Sequence, residues 1–449
     1  DLNIEAVVLG CKYIDPNPLD KLNNKGHNYF LSPNPYVLSS YAGFGEVYYS
    51  IFKDMKLTGG LRWTEDRKHF PLMPSWLVAG GYGYPVTGVV DQQWNELTGR
   101  AAANWTPQLD FTDQTLIYAS YAHGYKAGGA NPPGAKLLSV LVQPEHPLTF
   151  KPEFVDAFEL GTKNTMLDGA LTLNVNAFYY NYENYQISQI VDRTSVNLNF
   201  DAHITGAEVE AAWEPVPGLR FNFAGGYEHT SIAKNSKAID LMDRTAGHSD
   251  WLVVKPAPTQ ASNCILPTYV IATGVGFSNG GGQDGICYFT YVNQLDPVTN
   301  QSYVQDPFPG YAGFDPASAP NGGAGFDKDL GGNELPNSPP LTVSAGAQYT
   351  VPLSPDWAAT LRGDYYWQDY SWARVFNDNP YDRLRGYTNL NLAIILTSQS
   401  GWQVMLYDKN VFNTTAITGD FLNSDDTALT TNVFLTDPKL IGVRVTKNW

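Results

Sequence analysis

Apolar and polar residues alternate one for one through about 13 separate stretches of this chain, the period-two pattern of strands whose two faces meet different surroundings. Leu57, Gly59, Leu61 and Trp63 alternate with Thr58, Gly60, Arg62 and Thr64. Leu171, Leu173, Val175 and Ala177 alternate with Thr172, Asn174 and Asn176, and Trp357, Leu361, Tyr365 and Trp367 with Thr360, Arg362, Asp364 and Tyr366. The pattern predicts strands near 40–52, 56–66, 95–105, 114–125, 154–166, 169–182, 201–214, 218–232, 340–351, 356–369, 386–396, 401–411 and 437–449. Short clusters of Pro, Gly, Asp and Ser join some of them, as turns do. Long connections are expected over 67–94, 126–151, 183–202, 235–338, 371–385 and 411–436.

A soluble sandwich and a membrane barrel both produce this alternation. Three features favour the barrel: apolar faces that finish in Trp or Tyr, connections that alternate between very short and very long, and a last strand that stops on an aromatic. Composition agrees. Of the 449 residues, 13% are aromatic and only 16% charged, against roughly 25% in soluble domains. No stretch approaches the ~18 consecutive apolar residues of a transmembrane helix. The net charge of −16 removes nucleic acid as a partner, because phosphate backbones need a basic footprint.

The odd strand count makes the first and last strands run the same way, whereas bacterial barrels close with even numbers. The expectation is therefore that strands are missing before Asp1, and that residues 1–39 are part of an extracellular loop. Residues 40–449 are then barrel wall, with 235–338, rich in Gly, Asn and Asp, as a large extracellular loop. Cys264 and Cys287 lie in that loop and are expected to form a disulfide in an oxidising compartment, leaving Cys11 without a partner.

Several segments, in order, resemble the barrel of TonB-dependent outer-membrane receptors. They are 57–68 (LTGGLRWTEDRK), 118–129 (YASYAHGYKAGG), 151–163 (KPEFVDAFELGTK), 171–186 (LTLNVNAFYYNYENYQ), 204–210 (ITGAEVE), and the pair 402–412 (WQVMLYDKNVF) with 440–449. The resemblance implies an all-β, transmembrane antiparallel β-barrel of about 22 strands, of which about 13 are present here, with the plug domain absent from this chain. It implies uptake of a scarce solute, by default an iron–siderophore complex, driven by TonB acting on a plug. Outer-membrane lipid and the barrel-assembly machinery are the further implied partners. The alternatives are a plugless passive channel, a receptor-like structural subunit of an envelope complex, and a soluble all-β binding protein. One residue departs from the pattern: Asp408 falls on the face that otherwise carries Trp402, Val404 and Leu406. Either the register changes after Met405 or Asp408 stands outside the apolar band.

The polar face offers Arg62, Arg100, Arg220, Arg362 and Arg444, with Glu208, Glu210 and Asp364, as lumen-facing residues. In the expected loops His69, Trp76, Trp94, His146, Tyr303, Phe308 and Tyr311 are candidate ligand contacts, aromatic faces being able to stack on a chelate, sugar or corrin. Gly442, Val445 and Trp449 resemble the C-terminal signal read by the assembly machinery, since a terminal edge strand can be captured by strand addition. The Asp-rich stretches lack the spacing and central Gly of a calcium loop, so no metal site and no cofactor are expected. No catalysis is expected either: Ser120 and His123 are three apart, hence on opposite faces of a strand, and no nucleophile elbow is visible.

Overall fold

The alternating stretches pair with their sequence neighbours, joined by short reversals at one end of the sheet and mostly by long connections at the other, and a strand with one apolar face can bury or present it only in a sheet. The computed structural model describes residues 30–31, 36–72, 76–77, 88–131, 147–191, 194–254, 264–272, 318–423 and 429–449. Thirteen strands form one sheet in simple sequence order. They are β1 (Val37–Phe52), β2 (Met55–Leu72), β3 (Gly88–Trp105), β4 (Gln114–Lys126), β5 (Glu153–Met166), β6 (Leu171–Val191), β7 (Thr194–Val216), β8 (Leu219–Ile232), β9 (Leu341–Pro352), β10 (Trp357–Gln368), β11 (Tyr387–Ser398), β12 (Trp402–Lys409) and β13 (Leu440–Lys447). Every neighbouring pair is antiparallel, so β1 and β13 point the same way, and among the described residues each has a single partner. No helix among the described residues is long and apolar enough to cross a membrane.

The register carries one apolar row and one polar row across the whole sheet. Leu61 lies opposite Gly99, Leu160 opposite Ala119 and Ala177, and Leu361 opposite Tyr349 and Ile394. This row is uncovered: Leu61, Leu97, Leu160, Leu361 and Val443 are all more than half exposed. It is bordered at the short-turn end by Trp105, Trp213, Tyr349, Trp357 and Trp402, and at the long-connection end by Tyr41, Trp63, Tyr121, Tyr179, Tyr227 and Tyr365, all exposed. Two aromatic girdles around a bare apolar band are what an amphipathic ring at a membrane–water interface produces.

Two strand pairs run further than their alternation suggests. The sequence reading puts a long connection over 183–202, but β6 and β7 stay paired from Tyr185–Phe200 to Val191–Thr194, beyond a register shift between Tyr182 and Tyr185. Asn184, with φ of 56°, sits in that shift. One inserted residue changes which side chains face which way, so the period is lost although the ladder continues. In the same way β2 and β3 extend through much of 67–94.

Asp408 keeps its register. It lies opposite Leu392 and Ile441 on the apolar row, and Lys439 Nζ sits 3.1 Å from its Oδ2. Of the two readings of this residue, a register change is thus excluded, and the lysine at the strand end supplies the counter-charge.

Gly161 stands directly opposite Tyr118, Gly206 opposite Phe178, and Gly442 opposite Tyr407. In each case a Cβ added to the glycine falls within the volume of the ring across the ladder. The ring covers bare backbone, a known way to protect a strand glycine. Gly442 therefore has a packing role at the last hairpin. Gly442→Val should displace Tyr407 and cost about 1–3 kcal/mol, as overpacking does. The measurement is the denaturant midpoint of the purified protein in detergent. An unchanged midpoint would refute the packing role.

Candidate functional site

The polar row is a wall of paired charges and amides. Glu46 and Arg100 lie two strands apart with Gly60 between them in register. Because Gly60 has no side chain, Arg100 reaches across it, its Nη2 donating to Glu46 Oε1 at 2.6 Å and its Nε to Oε2 at 3.3 Å. Asn176 donates to Glu159 at 3.2 Å and to Glu208 at 3.1 Å, and Tyr118 OH also donates to Glu159. Asn174 reaches Glu210 at 3.5 Å. Arg362 holds Asp364 by two bonds, at 2.7 and 2.9 Å. Arg62 Nε donates to Thr64 Oγ1 at 3.0 Å and its guanidinium lies over the Phe44 ring. Arg220 faces Gln348 and Arg444 faces Met405 on the same row, and neither forms an ion pair with another described residue.

At the long-connection end this row changes character. Leu198, Phe200, Ala202 and Ile204 of β7, Ile232 of β8, and Tyr182, Tyr185 and Ile187 of β6 form an apolar patch. Ala238, Leu330 and Leu335 from the β8–β9 connection pack on it, with Val375 and Phe376 from the β10–β11 connection. Ala202, Ile232 and Leu330 are at most 1% exposed. Two long connections thus fold inward over the polar face and make a small core there. Asn333 locks them together, donating to the carbonyls of Val375 at 2.8 Å and Phe376 at 2.9 Å. Thr230 Oγ1 accepts from Leu335 N at 2.8 Å and ties that core to the wall.

Beside the core lies a charged knot. Arg374 Nη1 donates to Asp240 at 2.7 Å and its Nη2 to Asp382. Lys328 Nζ lies 3.3 Å from Asp240, 2.9 Å from Asp243 and 2.6 Å from Asp378. Asp240 and Asp382 are 1% and 3% exposed, and the cations take the place of the water these carboxylates have lost. Burial works against the charge on Arg374, yet its bonds to Asp382 and Asp240 hold the guanidinium above its ordinary value. Burial also opposes the charge on Lys328, and its three carboxylates again prevail and raise it.

A cavity of ≈ 390 Å³ opens between β6, β7, the knot and the hairpin Ile417–Leu422/Thr431–Leu435, with Tyr185, Ser188, Phe200, Arg374, Asp420 and Phe421 in its lining.

The loop candidates scatter. His69 and Trp94 sit on β2 and β3 rather than in loops, and on opposite faces. His69 Nδ1 is 2.6 Å from Asp91 on the row that continues the apolar band, while Trp94 lies on the polar row under Lys68 Nζ at 5.5 Å. Trp76 pairs by its backbone with Leu31 in a two-residue ribbon. His146, Tyr303, Phe308 and Tyr311 lie outside the described residues. Ser120 faces the polar row beside Glu159, and His123 the other row beside Asp156. Cys264 is disulfide-bonded; Cys11 and Cys287 lie outside the described residues. Val445 is on the apolar row, and Lys447 Nζ lies over both Trp402 and Trp449, at 5.3 and 5.4 Å. No group of metal-binding side chains occurs among the described residues. The cavity and knot residues were not among the candidates, although the break in alternation at 183–202 marks the wall they rest on.

A known family profile, described as the TonB dependent receptor-like β-barrel, matches residues 9–416. The chain belongs to the TonB-dependent receptor family. Its strands are those of a transmembrane antiparallel β-barrel of the bacterial outer membrane, with the bare apolar row toward lipid. Among curated relatives, the pesticin receptor of Yersinia enterocolitica is 24% identical over 232 residues, covering 49% of this chain and 31% of that protein. Among solved structures, the ferric yersiniabactin uptake receptor FyuA of Yersinia pestis aligns with a TM-score of 0.59 at 14% identity, over 93% of this chain and 46% of that one. The siderophore receptor PiuA of Acinetobacter baumannii gives 0.53 at 14%, over 92% and 43%. The copper transporter OprC gives 0.55 at 13%, over 91% and 48%. At such identities these structures share the fold. The chain spans under half the length of each of these relatives.

Proposed function

We propose that this chain is the wall and outer vestibule of a receptor that takes up a scarce solute through the outer membrane, energised by TonB, with a ferric siderophore as cargo. The observation that carries the reading is the inward fold of the long connections. They pack a core onto the polar face at one end of the strands, which in a barrel narrows the lumen at its mouth. A freely conducting pore is better served by an open mouth. The charged wall below supports the same reading, since paired Arg, Glu and Asn side chains can contact a polar body held in the lumen. The names of the relatives add iron chelates as the commonest cargo among them. In the membrane both free edges, β1 and β13, need partners, because no water satisfies backbone groups there. The reading therefore includes further strands closing between them, and a plug. It also retains the Cys264–Cys287 bridge as a staple of the large loop, and assembly through Gly442, Val445 and Trp449.

The test is uptake of radiolabelled iron from a panel of ferric chelates by cells with and without the gene, and with and without TonB. Uptake of at least one chelate should fall to background in both deletions. Uptake that needs the gene but persists without TonB would instead identify a passive channel.

A further inference from the structure

Asp420 is a partly buried carboxylate with no hydrogen bond or ion pair to another described residue. It stands at the wall of the ≈ 390 Å³ cavity, on the hairpin Ile417–Leu422/Thr431–Leu435. Of the described residues lining that cavity, Asp420 and Arg374 carry charge. Arg374 offers little to an incoming anion: Asp240 and Asp382 hold its two terminal nitrogens, its unpartnered Nε is shut off from solvent, and its side chain is 13% exposed. Gln186 is likewise engaged, donating to the carbonyls of Ala127 and Lys151, both at 3.1 Å. What remains for a ligand is an aromatic and aliphatic body, including Tyr185, Leu198, Phe200, Phe376 and Phe421, the neutral polar side chains of Gln189, Ser195 and Asn337, and one carboxylate with no ion pair to another described residue.

We propose that this cavity is a binding subsite for a small organic cation, an ammonium group on an apolar or aromatic body, with Asp420 as its counter-ion. The charge of the surroundings favours this class. The knot and Asp420 together hold two bases, Lys328 and Arg374, against five carboxylates, Asp240, Asp243, Asp378, Asp382 and Asp420. In a partly desolvated site that excess attracts a cation and repels an anion. The aromatic rings add attraction through their faces. The inference extends the uptake reading by naming the charge class that this end of the receptor admits: a cargo with an amine-bearing arm ahead of a highly anionic one.

The pH dependence follows from the same groups. Burial and the neighbouring Asp382 push the Asp420 carboxyl up to about 6, with Arg374 pulling the other way. Asp240 and Asp382 stay committed to Arg374, and among the described residues the lining contributed by β6 and β7 carries no titratable group other than Tyr185. A cation binds the ionised carboxylate, so affinity should be full above that value and fall as pH drops through it.

The test uses the purified full-length protein in detergent and three fragments of similar shape: phenethylammonium, phenethyl alcohol and 3-phenylpropanoate. Saturation-transfer NMR titrations give their relative affinities. At pH 7.5 the ammonium should bind at least about tenfold more tightly than the alcohol, and the carboxylate more weakly than either. Asp420→Asn should abolish the preference for the ammonium while leaving the alcohol unchanged, which also shows that the cavity is intact. Lowering the pH to 5 should erode the preference in the native protein only. Equal binding of ammonium and alcohol, no binding of any fragment, or an undiminished preference in the Asp420→Asn protein would each overturn the proposal. Because fragments are read directly, a failure of iron uptake leaves this result standing, and a failure here leaves the uptake reading standing.

Discussion

Arg374→Met should release the inward-folded connections from the wall, at a cost of about 3–5 kcal/mol to the local structure. The substitution leaves Asp240 and Asp382, 1% and 3% exposed, facing the space the guanidinium filled. Lys328 still neutralises Asp240 in part, at 3.3 Å, but Asp382 loses its cation. One of the two must take up a proton or reach water, and either route opens the packing of Val375 and Phe376 on Ile232 and Phe200. Hydrogen exchange should then accelerate in 233–240, 327–335 and 371–384, with the strands below unaffected. The triple variant Asp240→Asn, Arg374→Met, Asp382→Asn should recover most of the protection, because deleting a whole buried charge group costs far less than orphaning half of it. Unchanged exchange in the single variant would mean that the knot lies on the core without holding it.

Leu361→Arg is expected to cost about 2–4 kcal/mol and to lower the folded fraction in the outer membrane, whereas Ser344→Arg should have little effect. The two positions are on neighbouring strands. Leu361 lies on the apolar row between Tyr349 and Ile394, while Ser344 lies on the polar row between Ala224 and Tyr366. The arginine at 361 must hold its charge in hydrocarbon, and the one at 344 meets water and the polar wall. Heat-modifiability on gels of isolated outer membranes measures the folded fraction. Equal losses at the two positions would contradict the assignment of faces.

The parts of this architecture that could be read from the chain are those where one face of a strand is apolar and the other polar. Thirteen such stretches were expected and thirteen strands form the sheet, because lipid on one side and water on the other impose the alternation residue by residue. Where that contrast vanishes, so does the signal. The paired ends of β6 and β7 carry Ile187, Leu198 and Phe200 beneath folded-back connections, and the shift at Asn184 moves the pattern out of phase. His69 and Trp94 looked like loop residues for the same reason: the strands there have left the apolar band but not the sheet.

The knot was legible only as scattered charges. Asp240, Lys328 and Arg374 are 88 and 46 residues apart in sequence, and no local pattern foretells that they meet. The glycine–aromatic pairs were hidden similarly, since Gly442 and Tyr407 become partners only once the register is known. Gly442 can be noticed in a terminal motif without its packing role being suspected.

The account rests on the apolar row facing lipid and the polar row facing an aqueous lumen. Single nitroxide labels along β10, from residue 359 to 366, placed in a Cys11→Ser background of the intact protein in bilayers, test it most directly. Collision rates with oxygen, which concentrates in lipid, should be high at 359, 361, 363 and 365. Rates with a water-soluble nickel chelate should be high at 360, 362, 364 and 366. A period of two, with the two reagents out of phase, is the predicted result. Equal access of the nickel chelate to both sets, or protection of both from oxygen, would contradict a membrane-spanning wall.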